Sequence, residues 1–358
     1  MRKSVLALTV LATLLGGAGC ATDSDDPPPG GGDGGGDGAP PFTNGVSTLS
    51  GHAEAGYADG RRGLARFANP VNVAVGPNGM LYVADFDNGK IRAVDAEGTT
   101  STVVAVTGFQ RPFAMAFASD GTLYVTTDRD PKGAHGPMAG TIWRVDVSAR
   151  TATPVAVAIG RPRGIAVLPD GTLAASDYTH HVIQRINPAT GAVTLIAGAW
   201  DQKGLADGVG AEARFSTPYG LAFVNGALVV ADHDNHRLRR VTLDGNVSSF
   251  AGSDAGYGDG SRTTAKLNKP QGLAAAANGD LYVSDLENFR IRRIRGDMIE
   301  TIAGNGRAGY LDSDDRLEAQ LYGLEGVAVK PDGSMVYVAD GSRGENVLYH
   351  RVRSIKMD

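Results

Sequence analysis

Apolar positions between residues 42 and 358 fall into short runs of about five, separated by Gly-, Asn- and Asp-rich breaks. The runs recur as one unit, six times. Its first segment reads Pro-x-small-apolar, beginning at Pro70, Pro112, Pro162, Pro218 and Pro270, with Leu324 in the sixth copy. An Asn-Gly or Asp-Gly pair follows: Asn78-Gly79, Asp120-Gly121, Asp170-Gly171, Asn225-Gly226, Asn278-Gly279 and Asp332-Gly333. Such pairs predict hairpins, here of type I′, in which both central residues take positive φ. The second segment is LYVAD (81–85), LYVTT (123–127), LAASD (173–177), LVVAD (228–232), LYVSD (281–285) and VYVAD (336–340). A third segment carries Ile/Leu-x-Arg, as in IQRI (183–186), LRRV (238–241) and IRRI (291–294). A fourth closes the unit, as in VTLIAG (193–198), VSSFAG (247–252) and ETIAG (300–304).

Each unit is therefore four short antiparallel strands. The strands are apolar on both faces, so both faces must be covered. Sheets stacked face to face around an axis meet that demand. The expected fold is all-β, a six-bladed propeller of four-stranded blades. The sixth unit stops after its third strand, VLYHRVRSI (347–355), while VSTLSG (46–51) has the fourth-strand pattern. The N-terminal strand is thus expected to complete the last blade and close the ring.

Composition changes this picture at one end only. Gly supplies 50 of 358 residues, which suits many turns. Residues 1–19 have a signal's layout: Arg2 and Lys3, an apolar run from Val5 to Leu15 that is too short to span a bilayer, then small residues before Cys20, the only cysteine. This resembles a bacterial lipoprotein signal, which implies lipid on Cys20 and a place in the cell envelope, the outer membrane favoured. Residues 20–41 are rich in Asp, Gly and Pro and read as a disordered tether with a reach of roughly 25 Å. The formal net charge of −5 lies mostly in that tether, which argues against nucleic acid as a partner. One cysteine excludes an internal disulfide framework. A closed ring has no open sheet edge to hide, so a monomer is expected.

The segment around Asp232-His-Asp-Asn235-His236-Arg237-Leu238, with Pro218-x-Gly-Leu-Ala before it and Phe-Ala-Gly after it, resembles the NHL repeat. The resemblance covers essentially all of 42–358 and implies a six-bladed propeller, most often a binding or scaffold module for a protein, peptide or glycan. Some relatives are enzymes with a metal in the central channel. A metal-dependent lyase or hydrolase is the alternative reading, and a divalent calcium or zinc ion its cofactor.

The recurring Asp85, Asp177, Asp232, Asp285 and Asp340 read as framework, with an Arg eight residues on in three copies (Asp177–Arg185, Asp232–Arg240, Asp285–Arg293) and Arg351 as the partner in blade six. Among histidines, His180, His181, His233 and His236 lie on turns of neighbouring blades and are the metal candidates, although no HxH, HExxH or HxxxH spacing occurs. A second repeat, Gly-[Tyr/Leu]-x-Asp-[Gly/Ser], precedes blades one, four, five and six. It contributes Tyr57, Asp59, Tyr257, Asp259 and Tyr310 as candidate ligand contacts. An insertion from Thr126 to Gly140 in blade two adds Asp128, Asp130 and His135. Both loop sets emerge on one face, and binding is expected there.

Overall fold

The computed structural model describes residues 44–357. The signal, Cys20 and the tether lie outside the described residues. Six antiparallel sheets ring a central channel. Blade one comprises Pro70–Val75, Leu81–Asp85, Lys90–Val94 and Thr100–Val104, from the channel outward. Blades two to five repeat this order from Pro112, Pro162, Pro218 and Pro270. Blade six combines Leu324–Val329, Met335–Asp340 and His350–Lys356 with Gly45–His52 as its outer strand. The N-terminal strand therefore closes the ring as the sequence pattern predicts.

The hairpins between first and second strands depart from expectation. Only Asn225 and Gly226 both take positive φ, as a type I′ turn requires. In blade one the N–H of Gly79 bonds to the carbonyl of Gly76, whose own N–H bonds to that of Met80. Gly79 alone of Pro77, Asn78 and Gly79 is left-handed. This is a three-residue loop with a terminal αL glycine. The Asn78 side chain accepts from the Met80 N–H rather than adopting αL itself. The extra proline or alanine before Asn-Gly lengthens the loop by one residue.

The small residue after Pro-x is explained by blade-to-blade contact. A β-carbon on Gly220 would stand 2.3 Å from the Gln271 carbonyl oxygen, and one on Gly164 would stand 2.5 Å from that of Tyr219. Inner strands of successive blades pack backbone against backbone at these points.

Candidate functional site

A cation sits at the heart of four blades, held by two carboxylates. Arg92, Arg239, Arg292 and Arg353 have fully buried side chains. Each donates Nη1 to the Asp of its second strand: Asp85 (2.8 Å), Asp232 (2.9 Å), Asp285 (2.6 Å) and Asp340 (2.9 Å). Each meets the Asp of the loop repeat with its other nitrogen: Asp59 (2.6 Å), Asp207 (2.5 Å), Asp259 (2.7 Å) and Asp312 (2.6 Å). The second-strand Asp also accepts a backbone N–H of the entering segment, for example Ala68 at 2.8 Å and Ser216 at 2.7 Å.

These arginines lie one residue before Arg240 and Arg293, and two after Arg351, so the expected pairs are corrected. Successive strand residues face opposite sides. Arg237 stands opposite Asp232, so Arg239 shares its face and Arg240 does not. In blade three Gln184 takes the Arg position, Asp177 binds His180 instead, and Arg185 lies 3.5 Å from Asp170.

The loop repeat therefore lies on the perimeter. Asp59 also accepts the N–H of Thr102 on the outer strand (3.0 Å), and Asp259 that of Thr301 (3.1 Å). The Tyr57 hydroxyl meets Thr102 Oγ1 at 3.0 Å, Tyr257 meets Thr301 at 3.2 Å, and Tyr310 bonds to Thr48. Each ring also lies over its buried guanidinium, 5.0 Å away for Tyr57 and 4.6 Å for Tyr310. Short ladders such as Gly208–Val209 on Asn246–Val247 then cover the outer edges of these blades. The five loop candidates are thus engaged in holding covers in place. No signal in the spacing alone showed that the loop aspartates share an arginine with the strand aspartates.

The four histidine candidates are not brought together. The His180 Nδ1 lies 2.5 Å from Asp177, and its ring stacks on Trp200 at 4.1 Å. His181 and His236 accept backbone N–H groups of Thr217 (3.1 Å) and Lys269 (3.2 Å), which pins the start of the next blade. His233 pairs with Asp234 at 2.9 Å. Among the described residues no three His, Cys, Asp or Glu side chains converge as an ion site. His180 occupies the place of Asn88, Asn235 and Asn288, which donate to their aspartates at 2.8–2.9 Å. His180→Asn should therefore leave the melting temperature nearly unchanged. His180→Ala should cost about 1–2 kcal/mol, because a buried carboxylate oxygen loses its donor. Thermal denaturation of both variants checks this.

The blade-two insertion contributes to a different place. Asp128 is buried and binds Arg163 through both oxygens (2.5 and 3.1 Å) and Arg161 at 2.7 Å. Burial pushes its carboxyl up, but the two arginines outweigh that and hold it below the usual range. Asp130 closes the turn, accepting the N–H groups of Lys132 (2.9 Å) and Ala134 (2.7 Å). His135, lowered by burial and by Arg161, borders a groove of about 550 Å³ with Arg161, Tyr178, His181 and Thr217. The groove runs over blade three, where the incoming loop is short.

Arg163 leads to residues that sequence reasoning missed. It is the x of Pro-x-Gly in blade three. The same position holds Val71, Phe113, Tyr219, Gln271 and Glu325 in the other blades. In every inner strand the register slips by one residue there, so each of the six falls in a bulge beside the channel entrance. Phe113 and Tyr219 come from blades two and four, yet their rings approach to 6.3 Å across Arg163. The guanidinium lies 4.2 Å from the Phe113 centroid and 4.7 Å from that of Tyr178. A cavity of about 50 Å³ in the channel is lined by Arg163, Gln271 and Glu325 among inner-strand backbone. Glu325 Oε2 is shut off from solvent and meets no donor among the described residues. Burial pushes its carboxyl up to about 7, against the pull of Arg163 and Arg343. The available signal was variation: this is the place in the first segment where the six copies differ most in chemical kind, from apolar to aromatic, amide, cationic and acidic.

The raised Glu325 carries a pH prediction. Its folded value of about 7 exceeds the ordinary 4.5, so the folded state holds the extra proton between those values. Stability from this group is therefore full below pH 4.5 and is lost as pH rises through 7. Glu325→Gln should match the parent at pH 4.5 and exceed it by about 1–3 kcal/mol at pH 8. Denaturant titrations at both values check this; a difference independent of pH contradicts it.

The fold and this repeating frame define a β-propeller of the NHL type, and the NHL repeat model matches residues 267–294. The chain belongs to a repeat family of unknown function (DUF6923), whose model matches residues 84–264. NHL repeat-containing protein 2 of Gallus gallus is 28% identical over 314 residues, covering 81% of this chain and 40% of that protein. SUPPRESSOR OF QUENCHING 1 of Arabidopsis thaliana is 27% identical over 284 residues, covering 70% of this chain and 27% of that protein. The chain thus spans less than half the length of either relative. An auxiliary nutrient binding protein from Bacteroides thetaiotaomicron superposes with a TM-score of 0.68 at 18% identity, covering 87% of this chain and 75% of that one. That likeness is one of fold.

Proposed function

We propose that this propeller is a binding module whose ligand enters at the channel mouth and extends along the groove over blade three. The observation that carries this reading is the division of labour between positions. Residues that recur from blade to blade build the frame, as the four Asp–Arg–Asp clusters do. Residues that differ from blade to blade converge on one spot, around Arg163 and Glu325. A rigid scaffold with a few convergent polar groups and aromatic walls is the general form of a ligand site. The nutrient-binding role in the name of the structurally similar Bacteroides protein agrees with a module of this kind.

The test is a thermal-shift screen of the full chain against soluble sugars, peptides and amines, with hits remeasured on two variants. Affinity should fall at least tenfold in Arg161→Ala and stay unchanged in Tyr57→Phe. The reverse pattern would move the site to the perimeter loops and overturn the reading.

The same proposal places the module in a bacterial cell envelope, lipid-anchored through Cys20, the outer membrane favoured. The apolar run followed by small residues and that cysteine supports it. Metabolic labelling with a radioactive fatty acid should mark the parent chain and not Cys20→Ser; equal labelling contradicts the anchor.

A further inference from the structure

The channel mouth has a polarity that narrows the class of ligand. Its central groups are of both kinds. Arg163 is a fixed cation, buried and locked by Asp128 at 2.5 and 3.1 Å. Glu325 is an acceptor whose Oε2 faces no donor among the described residues. Gln271, from the neighbouring blade, lines the same cavity and presents an amide, which both donates and accepts. Aromatic faces stand around them. Phe113 lies 6.3 Å from Tyr219, and Tyr178 lies 5.5 Å from Tyr219.

A cationic ligand entering here meets the Arg163 guanidinium. An anionic ligand meets the Glu325 carboxyl, which burial keeps protonated up to about pH 7 and which repels an anion once ionised above that. A hydroxyl meets neither penalty, since it donates to Glu325 or Gln271 and accepts from an N–H. A buried acceptor without a donor costs free energy, and a ligand hydroxyl that fills it recovers that cost. Size sets a further limit. A cavity of about 50 Å³ takes one small polar group rather than a ring. The ring of the ligand must then rest above, against the aromatic walls.

Resting on the binding role proposed above, we infer that the channel mouth binds a neutral, hydroxyl-rich ring, a sugar residue, with one hydroxyl or hydroxymethyl group entering the channel to donate to Glu325. The sugar's apolar ring face lies against the partly exposed Tyr178–Tyr219 side. The groove past Arg161 and His135 leaves room for a second residue of the same chain of sugars. The inference adds a ligand class and an anchoring residue to a site that otherwise has only a location.

The experiment is isothermal titration calorimetry of the full chain with neutral sugars (glucose, galactose, mannose, N-acetylglucosamine and their common disaccharides). Glucosamine serves as the cationic analogue and glucuronate as the anionic one. The expected result is saturable binding of at least one neutral sugar, at least tenfold tighter than either charged analogue. Glu325→Leu, which keeps volume and removes the acceptor, should weaken that sugar at least tenfold. Glu325→Gln, which keeps an acceptor, should weaken it less than threefold, and Tyr57→Phe should leave it unchanged. Melting curves establish that each variant is folded, and a variant that is not is replaced by Gln271→Leu, for which weakening of at least fivefold is expected. Preference for glucosamine or glucuronate overturns the inference, as does equal binding by Glu325→Leu. So does absence of binding by every sugar. In that last case, a hit of another class that still depends on Arg161 leaves the binding face standing and removes only the sugar. Hits that ignore Arg161 remove the face itself.

Discussion

Arg292→Ala is expected to destabilise the protein by about 3–5 kcal/mol, the range for stripping one partner from a buried ion pair. The side chains of Arg292 and Asp285 are both fully buried and 2.6 Å apart. Without the guanidinium, Asp285 keeps bonds from Asn288 and the Asn268 N–H but loses its one charge partner among the described residues. Three further bonds of Arg292 go with it. They tie Asp259 and the carbonyls of Lys266 and Gly258 into one unit with Asp285, so the perimeter cover of blade five loosens as well. The comparison variant is Asp259→Ala, which removes the half-exposed partner and should cost about 1 kcal/mol. Urea denaturation separates the two. Equal losses would mean that the loop aspartate, and not the buried pair, carries the cluster.

The second large effect is steric. In Gly220→Ala the new methyl group would stand 2.3 Å from the Gln271 carbonyl oxygen, with the Leu273 nitrogen at 3.1 Å and the Gly272 Cα at 3.2 Å. All three are backbone, so no side chain can swing away. Blade four must shift against blade five, and a closed ring transmits that shift to the other interfaces. Overpacking of a core costs about 1–3 kcal/mol, and a clash with rigid backbone belongs at or above the top of that range. Gly136→Ala is the control, because nothing lies within 4 Å of its added carbon and its φ is ordinary. Its effect should stay within about 0.5 kcal/mol. Thermal melts of the two variants, compared with the parent, test the claim that the small residue after Pro-x is an interface requirement.

Much of this architecture was legible in the sequence because it repeats. Six copies of Pro-x-small, a Gly turn and an Asp-ended strand fix blades and their order. The unpaired VSTLSG then has only one vacancy to fill, and it pairs with His350–Lys356. Side-chain partnership was less legible because it depends on register. The choice between Arg239 and Arg240 rests on which face each takes, and that follows from Arg237 standing opposite Asp232. The turn type hinged on one extra residue, Pro77 in blade one, which moves αL to the glycine alone.

The site was the least legible part. The loop repeat with Tyr57 and Asp59 drew attention by recurring, and recurrence is the mark of framework in a repeat protein. Asp59 reaches Arg92 and the Thr102 N–H together, a meeting across 33 and 43 residues that no local spacing encodes. The ring of Val71, Phe113, Arg163, Tyr219, Gln271 and Glu325 was visible as letters, but only closure of the six blades makes them neighbours. Asp128 links the two levels. It stands out in the blade-two insertion, and the fold sets it beneath Arg163.

The central claim is that the varied ring at the channel mouth, and not the repeated perimeter loops, meets the ligand. Hydrogen exchange of the full chain, read by mass spectrometry with and without the tightest-binding sugar, tests it most directly. The account predicts slowed exchange in peptides covering 160–165, 217–222 and 322–327, with 56–60, 204–208, 256–260 and 309–313 unchanged. Protection confined to those four perimeter loops would contradict it.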